Sequence, residues 1–429
     1  MKARIITKKE QCRSVEFEIQ REMHFDVFVL GGGTAGVFAA ISAARTGART
    51  VLVEKNSRLG GTVTNGGVNY PGLFFAWGKR IIGGPCWEAI ERTVALGGAT
   101  IPEISYKPAH HWEEQILLDK LVYTKVLNDM CREAGVTVMT NAMLSAAREE
   151  REGLLLLITD KAGLLSVKAK TAVDASGDAT LAAMLSYATV RSDIQQPATL
   201  DNHLVGYTMD AVDMEDLKQK WAACSLSAQV PLERILYYLK LQKINSHVQS
   251  VAADLPEGRA AVEERAVEEL FIHIQALRTV RGLENLRVDR LADETGVRET
   301  VRIVGEHTIT AEEYVRAEKY EDAICNAFYP VDLHVEHGIE QVFLADGLVP
   351  SVPYRALIPK GSERLLAAGR CISSDTYANS ALRVQAPCMA MGQAAGVAGA
   401  LAAKGEKSVR KLSIESIRES LASLGAILP

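Results

Sequence analysis

The chain has 429 residues, 48% of them hydrophobic and 24% charged, with a formal net charge of −5. That composition describes an ordinary globular protein with a large core and room for two or three domain-sized units. No basic block stands out, so nucleic-acid binding and binding to anionic membranes have no electrostatic support. The seven cysteines, at 12, 86, 131, 224, 325, 371 and 388, show no CxxC spacing. Metal and iron–sulfur ligation therefore lack a signal, and the dispersed, odd set fits a reducing, cytoplasmic setting. The opening MKARIITKKEQCRSVEFEIQ has no apolar run of the signal-peptide kind.

In chain order, residues 25–30 (FDVFVL) read as a short buried strand and 31–36 as a glycine turn. A small-residue helix follows over 35–46 and Gly47 closes it. ARTVLVE (48–54) is a second buried strand. Residues 113–134 read as one helix ending at Gly135, and VTVMTNAML (136–144) as a strand. The stretch 148–178 reads as strand, turn, strand, strand, with Lys161-Ala162-Gly163 as a hairpin turn. Residues 211–345 are more charged and mostly helical in pattern, while 365–369 (LLAAG) is again a buried strand. Pro387 suits the first turn of a last helix, which Gly405 closes. Within it, the stretch 386–403 carries no formal charge. Its length admits a membrane span, but its alanine, glycine and Gln393 favour a helix buried on all sides.

The order of these elements predicts an α/β fold. A Rossmann-like nucleotide domain is assembled from both chain ends (22–190 and 351–429), with a largely helical, mixed α/β substrate domain inserted at 191–350. Within the first unit, Gly31, Gly33 and Gly36 form GxGxxG between strand and helix. Gly31 permits the tight turn, Gly33 lets a pyrophosphate approach the backbone, and Gly36 lets helix and strand pack closely. Phosphates would then face the helix N-terminus. Glu54 follows this motif at the end of the second strand. A carboxylate there accepts from ribose hydroxyls and repels a 2′-phosphate.

These features leave FAD and NAD both open. After Glu54, KNSRLGGT brings Gly60-Gly61. At this point the sequence resembles the FAD-dependent oxidoreductases of the two-dinucleotide-binding-domain superfamily, distant relatives of fumarate reductase flavoproteins. AVDASGD (172–178), TGVRETVRIVGEHTIT (295–310) and the segment 353–400 match the same pattern. The resemblance spans about residues 24–403. It implies non-covalent FAD, since no histidine lies between Gly60 and Gly72 for a covalent link. It places Gly60, Gly61 and Thr62 near the ribityl and flavin end, and Gly369-Arg370 near the second phosphate. It sets the helix after Pro387 with its N-terminus towards the flavin pyrimidine. Thr34, Ala35, Lys55, Ala175-Ser176-Gly177 and Gln393 complete the implied cofactor set. Ser176 stands where threonine is more usual.

On the substrate side, His334, Arg355 and Arg383 are the candidate catalytic groups: histidine to carry a proton, arginine to clamp an anionic or polyhydroxyl small molecule. Arg298 and Arg302 would share a helix face if GVRETVR is helical. Their bland reading is a structural ion pair with Glu294 or Glu299. His110-His111 reads as surface, and Cys371 and Cys388 as two buried thiols. The stretch 74–87 (FFAWGKRIIGGPCW) reads as a packed loop in preference to a lid. The expected function is an oxidoreductase moving hydride or electrons between a small organic substrate and FAD. The rival is a flavin-holding subunit without catalysis. Membrane insertion is not expected, and homo-oligomer formation stays open.

Overall fold

The computed structural model describes residues 2–5, 15–19, 21–108, 111–193, 195–225, 230–250, 252–335 and 338–429. His110 lies outside the described residues, and so does the side chain of His111. The nucleotide unit begins with β1 (Arg21–Leu30), α1 (Thr34–Arg45) and β2 (Thr50–Glu54). The chain continues through α2 (Pro85–Ala95), α3 (Lys120–Glu133), β3 (Thr137–Thr140), β4 (Met143–Glu150), β5 (Gly153–Asp160) and β6 (Gly163–Asp174). The sheet order is β3-β2-β1-β6-β5-β4. β3, β2, β1 and β6 run parallel, while β5 and β4 return antiparallel.

β6 is the hinge of the architecture. One edge pairs with β1 from Leu165↔Arg21 to Asp174↔Leu30. The other edge pairs with β5 as far as Ala169 and then, in parallel, with Leu365–Ala367. The late segment thus completes a sheet begun near the N-terminus. Side chains alternate as strand geometry requires. Val27, Val29 and Leu52 join the large core cluster on one face, while Phe28, Leu30, Val51 and Val53 join the cluster on the other.

Helix α1 stops at Gly47, whose φ of +90° lets its N–H reach Ala44 O (2.8 Å) while Ala48 N reaches Ala43 O (3.1 Å). This is the paired closure of a Schellman end. The long helix Gln385–Gly405 packs on α1 with almost no space between backbones. A Cβ on Gly392 would lie 2.0 Å from Ala35 O, and one on Gly396 2.0 Å from Ala39 O. This helix is apolar and long enough to cross a membrane, but 94% of its apolar window is buried inside the protein. Pro387 sits in its first turn, as expected.

The segment 211–345 is less helical than its composition suggests. β7 (Ala198–Val205) lies between β8 (Lys243–Val248) and β9 (Arg287–Leu291), both antiparallel to it. Helix α4 (Pro256–Arg278) packs against β7 and β8. In β8, Ile244, Ser246 and Val248 point inward, while Lys243, Asn245 and His247 share the opposite face. The polar half of that alternation lines a cleft, so charge alone misrepresents it. Buried apolar residues between Ala198 and Val297 form a cluster of their own. Most of those from Ile309 to Val352 pack into the large cluster of the nucleotide unit.

Three further expectations are corrected. The helix expected at 113–134 begins only at Lys120, because the Asp119 side chain accepts from Val122 N and caps it there. Before it, Ile116 and Leu118 are buried in extended chain. The strand expected at 136–144 breaks into β3 and β4 at Asn141, with φ of 52°. Segment 298–302 is not helical, and Val301–Ile303 is a strand, so Arg298 and Arg302 share no helix face. Loop 74–87 is packed. Phe74 and Phe75 meet Trp87 edge-on at 5.5 and 5.4 Å, and Trp77 Nε1 donates to Leu348 O (2.9 Å).

Candidate active site

A cavity of about 530 Å³ runs along the carboxyl ends of the parallel strands and under the inserted unit. At one end three loops meet at backbone distance. Gly31 (φ +96°) leaves no room for a Cβ, which would lie 2.5 Å from Ala175 O. A Cβ on Gly36 would lie 1.7 Å from Gly31 O, and one on Gly61 2.7 Å from Gly33 Cα. Gly33 precedes α1, and no side chain caps that helix. Its first N–H groups and the positive end of its dipole are left for an anion.

Glu54, 5% exposed, closes this end. Its Oε2 accepts from Gly32 N (2.5 Å) and its Oε1 from Asn56 N (2.8 Å). Burial raises its pKa, and the two N–H donors pull it back. The inserted unit reaches over with Glu294, which binds Lys55 Nζ (2.7 Å) and Asn56 Nδ2 (3.3 Å). Burial opposes its charge, yet Lys55, Arg259 and Arg370 hold its pKa below the usual value. Arg370 ties the units from the other side. It donates to Gly177 O (2.8 Å), to Asp178 Oδ1 (2.6 Å) and to Val297 O. This uncapped helix, glycine cradle and buried acid are the groups a dinucleotide needs.

The other end is polar and mostly charged. Arg298 Nη1 donates to Pro197 O (2.7 Å) and Thr199 Oγ1 (2.6 Å). Arg383 Nη2 donates to Gln196 Oε1 (3.1 Å). His334 and Asp332 lie two apart on the strand Val331–Val335, hence on one face. His334 Nε2 is 3.2 Å from Asp332 Oδ2. Burial pushes the His334 imidazole down to about 4, against Asp332 and with the help of Arg298 and Arg383. Burial would raise Asp332, but hydrogen bonds from His334 and Gln341 bring it to about 2. Burial and the neighbouring Arg383 lower Arg298 to about 9. His247, hydrogen-bonded to Thr199 Oγ1 (2.9 Å), is held near 3 by burial and by Arg298.

The cavity brings together Gly31, Gly33, Thr34, Ala35, Glu54, Lys55, Gly61, Thr62, Ala175, Ser176, Gly177, Gly369 and Arg370 with His334 and Arg383. Gly36 and Gly60 lie just behind the lining, shaping their turns. Arg355 does not reach the cavity. It is exposed, and its guanidinium pairs with Asp322 at 3.0 Å. Gln393 is also away from it, accepting from Cys86 Sγ (3.4 Å) beside a small separate hollow. Its place two turns on puts it about 12 Å further along the helix axis than Gln385, which does line the cleft. Arg302 forms a buried ion pair with Glu299 at 2.6 Å. Cys388 touches the cavity and Cys371 lies behind Asp174; both are free thiols whose pKa burial raises. Tyr70, Thr199, Asn245, His247, Tyr329, Asp332 and Gln385 line the cavity without having been singled out. Only Asp332 carried a readable signal, its two-residue spacing from His334.

Comparison with known proteins adds the family. The model of the FAD-dependent oxidoreductase family matches residues 26–421. A short stretch is 38% identical over 66 residues to mitochondrial dihydrolipoyl dehydrogenase of Schizosaccharomyces pombe, covering 13% of this chain and 13% of that protein. The Caenorhabditis elegans counterpart is 57% identical over 42 residues, 10% of this chain and 8% of that protein. The chain thus matches only a small fraction of these relatives' length. Among solved structures, a geranylgeranyl bacteriochlorophyll reductase-like protein from Thermoplasma acidophilum aligns with TM-score 0.47 and 14% identity, over 94% of this chain and 83% of that one. The p-nitrophenol 4-monooxygenase of Pseudomonas putida DLL-E4 aligns with TM-score 0.42 and 12% identity, over 94% and 84%. The family match covers nearly the whole chain, both halves of the nucleotide unit and the insertion between them: the protein belongs to the FAD-dependent oxidoreductases.

Proposed function

We propose that the enzyme moves a hydride or an electron pair between a small organic substrate and non-covalently held FAD, with the substrate in the end of the cleft walled by Arg298, Asp332, His334 and Arg383. The observation that carries this reading is the continuity of the cavity. One space joins the dinucleotide cradle at Gly31, Gly33 and Glu54, early in the chain, to a polar cluster around His334, far along it. FAD, when bound, supplies the two-electron chemistry. The chain supplies the rest. The N–H groups of α1 hold the phosphates, Glu54 accepts from the ribose, and Val384 and Gln385 bring the start of the long helix to the cleft. A helix N-terminus there favours negative charge on a reduced flavin. His334, neutral at pH 7, is free to accept a proton, with Asp332 fixing its ring.

The test is anaerobic mixing of the purified yellow protein with a panel of organic acids, alcohols and sugars. Bleaching of the oxidised flavin band by one class is the expected result. A flavin-replete protein that no reductant in the panel bleaches, and that photoreduction followed by candidate acceptors does not turn over, contradicts the reading.

A further inference from the structure

The substrate end of the cleft holds more positive charge than the protein neutralises. Among the described residues, Arg298 donates to Pro197 O and Thr199 Oγ1, and Arg383 to Gln196 Oε1 and the backbone oxygen of Asp332. All four partners are neutral oxygens. Arg383 Nε is buried without a hydrogen-bond partner. The carboxylate at hand, Asp332, is already engaged by His334 and by Gln341 Nε2 (2.8 Å).

A guanidinium only donates, so the Thr199 hydroxyl accepts from Arg298, and the same oxygen lies 2.9 Å from His247 Nδ1. The tautomer of His334 follows from what its partner is able to accept. At His334 the carboxylate of Asp332 only accepts, so Nε2 carries the proton and Nδ1 keeps a lone pair. Among the described residues no protein hydrogen bond falls on that Nδ1. The site therefore presents two open cations beside one neutral base.

We infer that the site takes a small 2-hydroxy carboxylic acid, its carboxylate on Arg298 and Arg383 and its hydroxyl on His334 Nδ1. The inference rests on the function proposed above and adds the substrate class. Paired guanidiniums match a carboxylate in geometry and charge. An imidazole is far too weak to remove a proton from an unactivated carbon. It can take a hydroxyl proton as hydride leaves the same carbon. A 2-amino acid would set its ammonium against the guanidiniums. In the step, the C2–H and O–H bonds break and a C2=O bond forms. The proton goes to His334 Nδ1, and the hydride with its electron pair goes to the oxidised flavin of the family's FAD, leaving a 2-keto acid. The same charges time the base. Arg298 and Arg383 disfavour a protonated His334 in the free site, and an arriving carboxylate cancels that field as the proton must be accepted.

The test uses the FAD-replete enzyme. Binding of oxalate, a redox-inert carboxylate, is measured by calorimetry and by perturbation of the flavin spectrum, with inorganic phosphate and oxamide alongside. Anaerobic bleaching by glycolate, lactate and malate is compared with bleaching by the matching amides. The expectation is oxalate binding at least tenfold tighter than phosphate or oxamide, and a loss of at least tenfold in Arg383→Gln at unchanged flavin content. His334→Asn should keep oxalate binding within about threefold while slowing bleaching by a hydroxy acid about 100-fold or more. Equal binding of phosphate, bleaching by amides or neutral sugars as fast as by hydroxy acids, or unchanged oxalate affinity in Arg383→Gln would overturn the substrate class and leave the flavin oxidoreductase standing. Failure of every hydroxy acid to bleach a flavin-replete enzyme would also overturn the substrate class; the function proposed above falls only if photoreduction followed by candidate acceptors gives no turnover either.

Discussion

Glu54 shows what a single residue can reveal in sequence and what it cannot. Its place at the end of the second strand, downstream of the Gly31–Gly36 turn, is enough to mark it as the candidate ribose acid. Its two backbone donors, Gly32 N and Asn56 N, are visible only in the fold. Glu54→Gln keeps one acceptor oxygen and turns an NH₂ towards the other donor. FAD affinity should fall by about 1.5–3 kcal/mol, the worth of a hydrogen bond to a charged group, as measured by flavin titration of the apoprotein. An unchanged dissociation constant would remove Glu54 from the ribose. The histidines give a second prediction. His247 and His334 are held near 3 and 4 when folded, against about 6.5 when unfolded. Their folded values are depressed, so the unfolded chain binds more protons between pH 6.5 and 4. The stability they contribute is full above pH 6.5 and is lost on acidification through that window, by about 1.4 kcal/mol per pH unit for each histidine. Urea midpoints of His247→Gln should fall less steeply from pH 6.5 to 4 than those of the wild type. Parallel slopes would contradict the assignment. Arg355 and Arg383 mark the limit of reading by sequence proximity. Both flank the late strand, but the 3-10 turn Tyr354–Leu357 points Arg355 outward to Asp322, and nothing in PYRAL announces that direction.

At the scale of elements, the contact between α1 and the long helix positions the phosphate end of the cleft. Gly396→Ala would press a methyl group against Ala39 O, and overpacking of this kind costs about 1–3 kcal/mol. Gly399 differs, since a Cβ there meets its nearest neighbour, Thr171 Oγ1, at an ordinary 3.5 Å. Gly399→Ala should be neutral or stabilising by up to about 1 kcal/mol through helix propensity. Thermal denaturation of the two variants separates them, and equal losses would show that the helices can part. Arg302 and Glu299 form a second strut, 4% and 1% exposed. Glu299 Oε2 accepts from Gln196 N, and Gln196 Oε1 in turn accepts from Arg383. Arg302→Ala strands a buried carboxylate and should destabilise by about 3–5 kcal/mol in urea. The elements most legible in sequence were those under backbone constraint: β1, the glycine turn, α1 and β2. The least legible was β8. Its KINSHV alternates correctly for a strand, but its polar half faces a cleft, and the surrounding charge resembles a solvated helix.

Over the whole molecule, the inserted unit closes on the nucleotide unit through charged contacts at the ribose end. These are Lys55–Glu294, Arg58–Asp293 and the bond from the Arg370 guanidinium, itself paired with Asp178, to Val297 O. The same unit supplies Thr199, Asn245 and His247 to the far wall of the cavity. Cofactor and substrate would then be enclosed by one arrangement, a relation that no local pattern encodes because partners such as Lys55 and Glu294 lie far apart in the chain. The chain order did announce that the nucleotide unit is built from both ends, and β6 pairing with both β1 and Leu365–Ala367 is how that happens. The central claim is that FAD lies along this single cleft with its reactive ring at the charged cluster. A crystal structure of the FAD-bound enzyme measures this directly. The account predicts the adenosine ribose within hydrogen-bond reach of Glu54, and the isoalloxazine beside Arg383 and His334 with room for a small acid between them. An isoalloxazine more than about 10 Å from both side chains, too far for a substrate held by them to meet the ring, would contradict it.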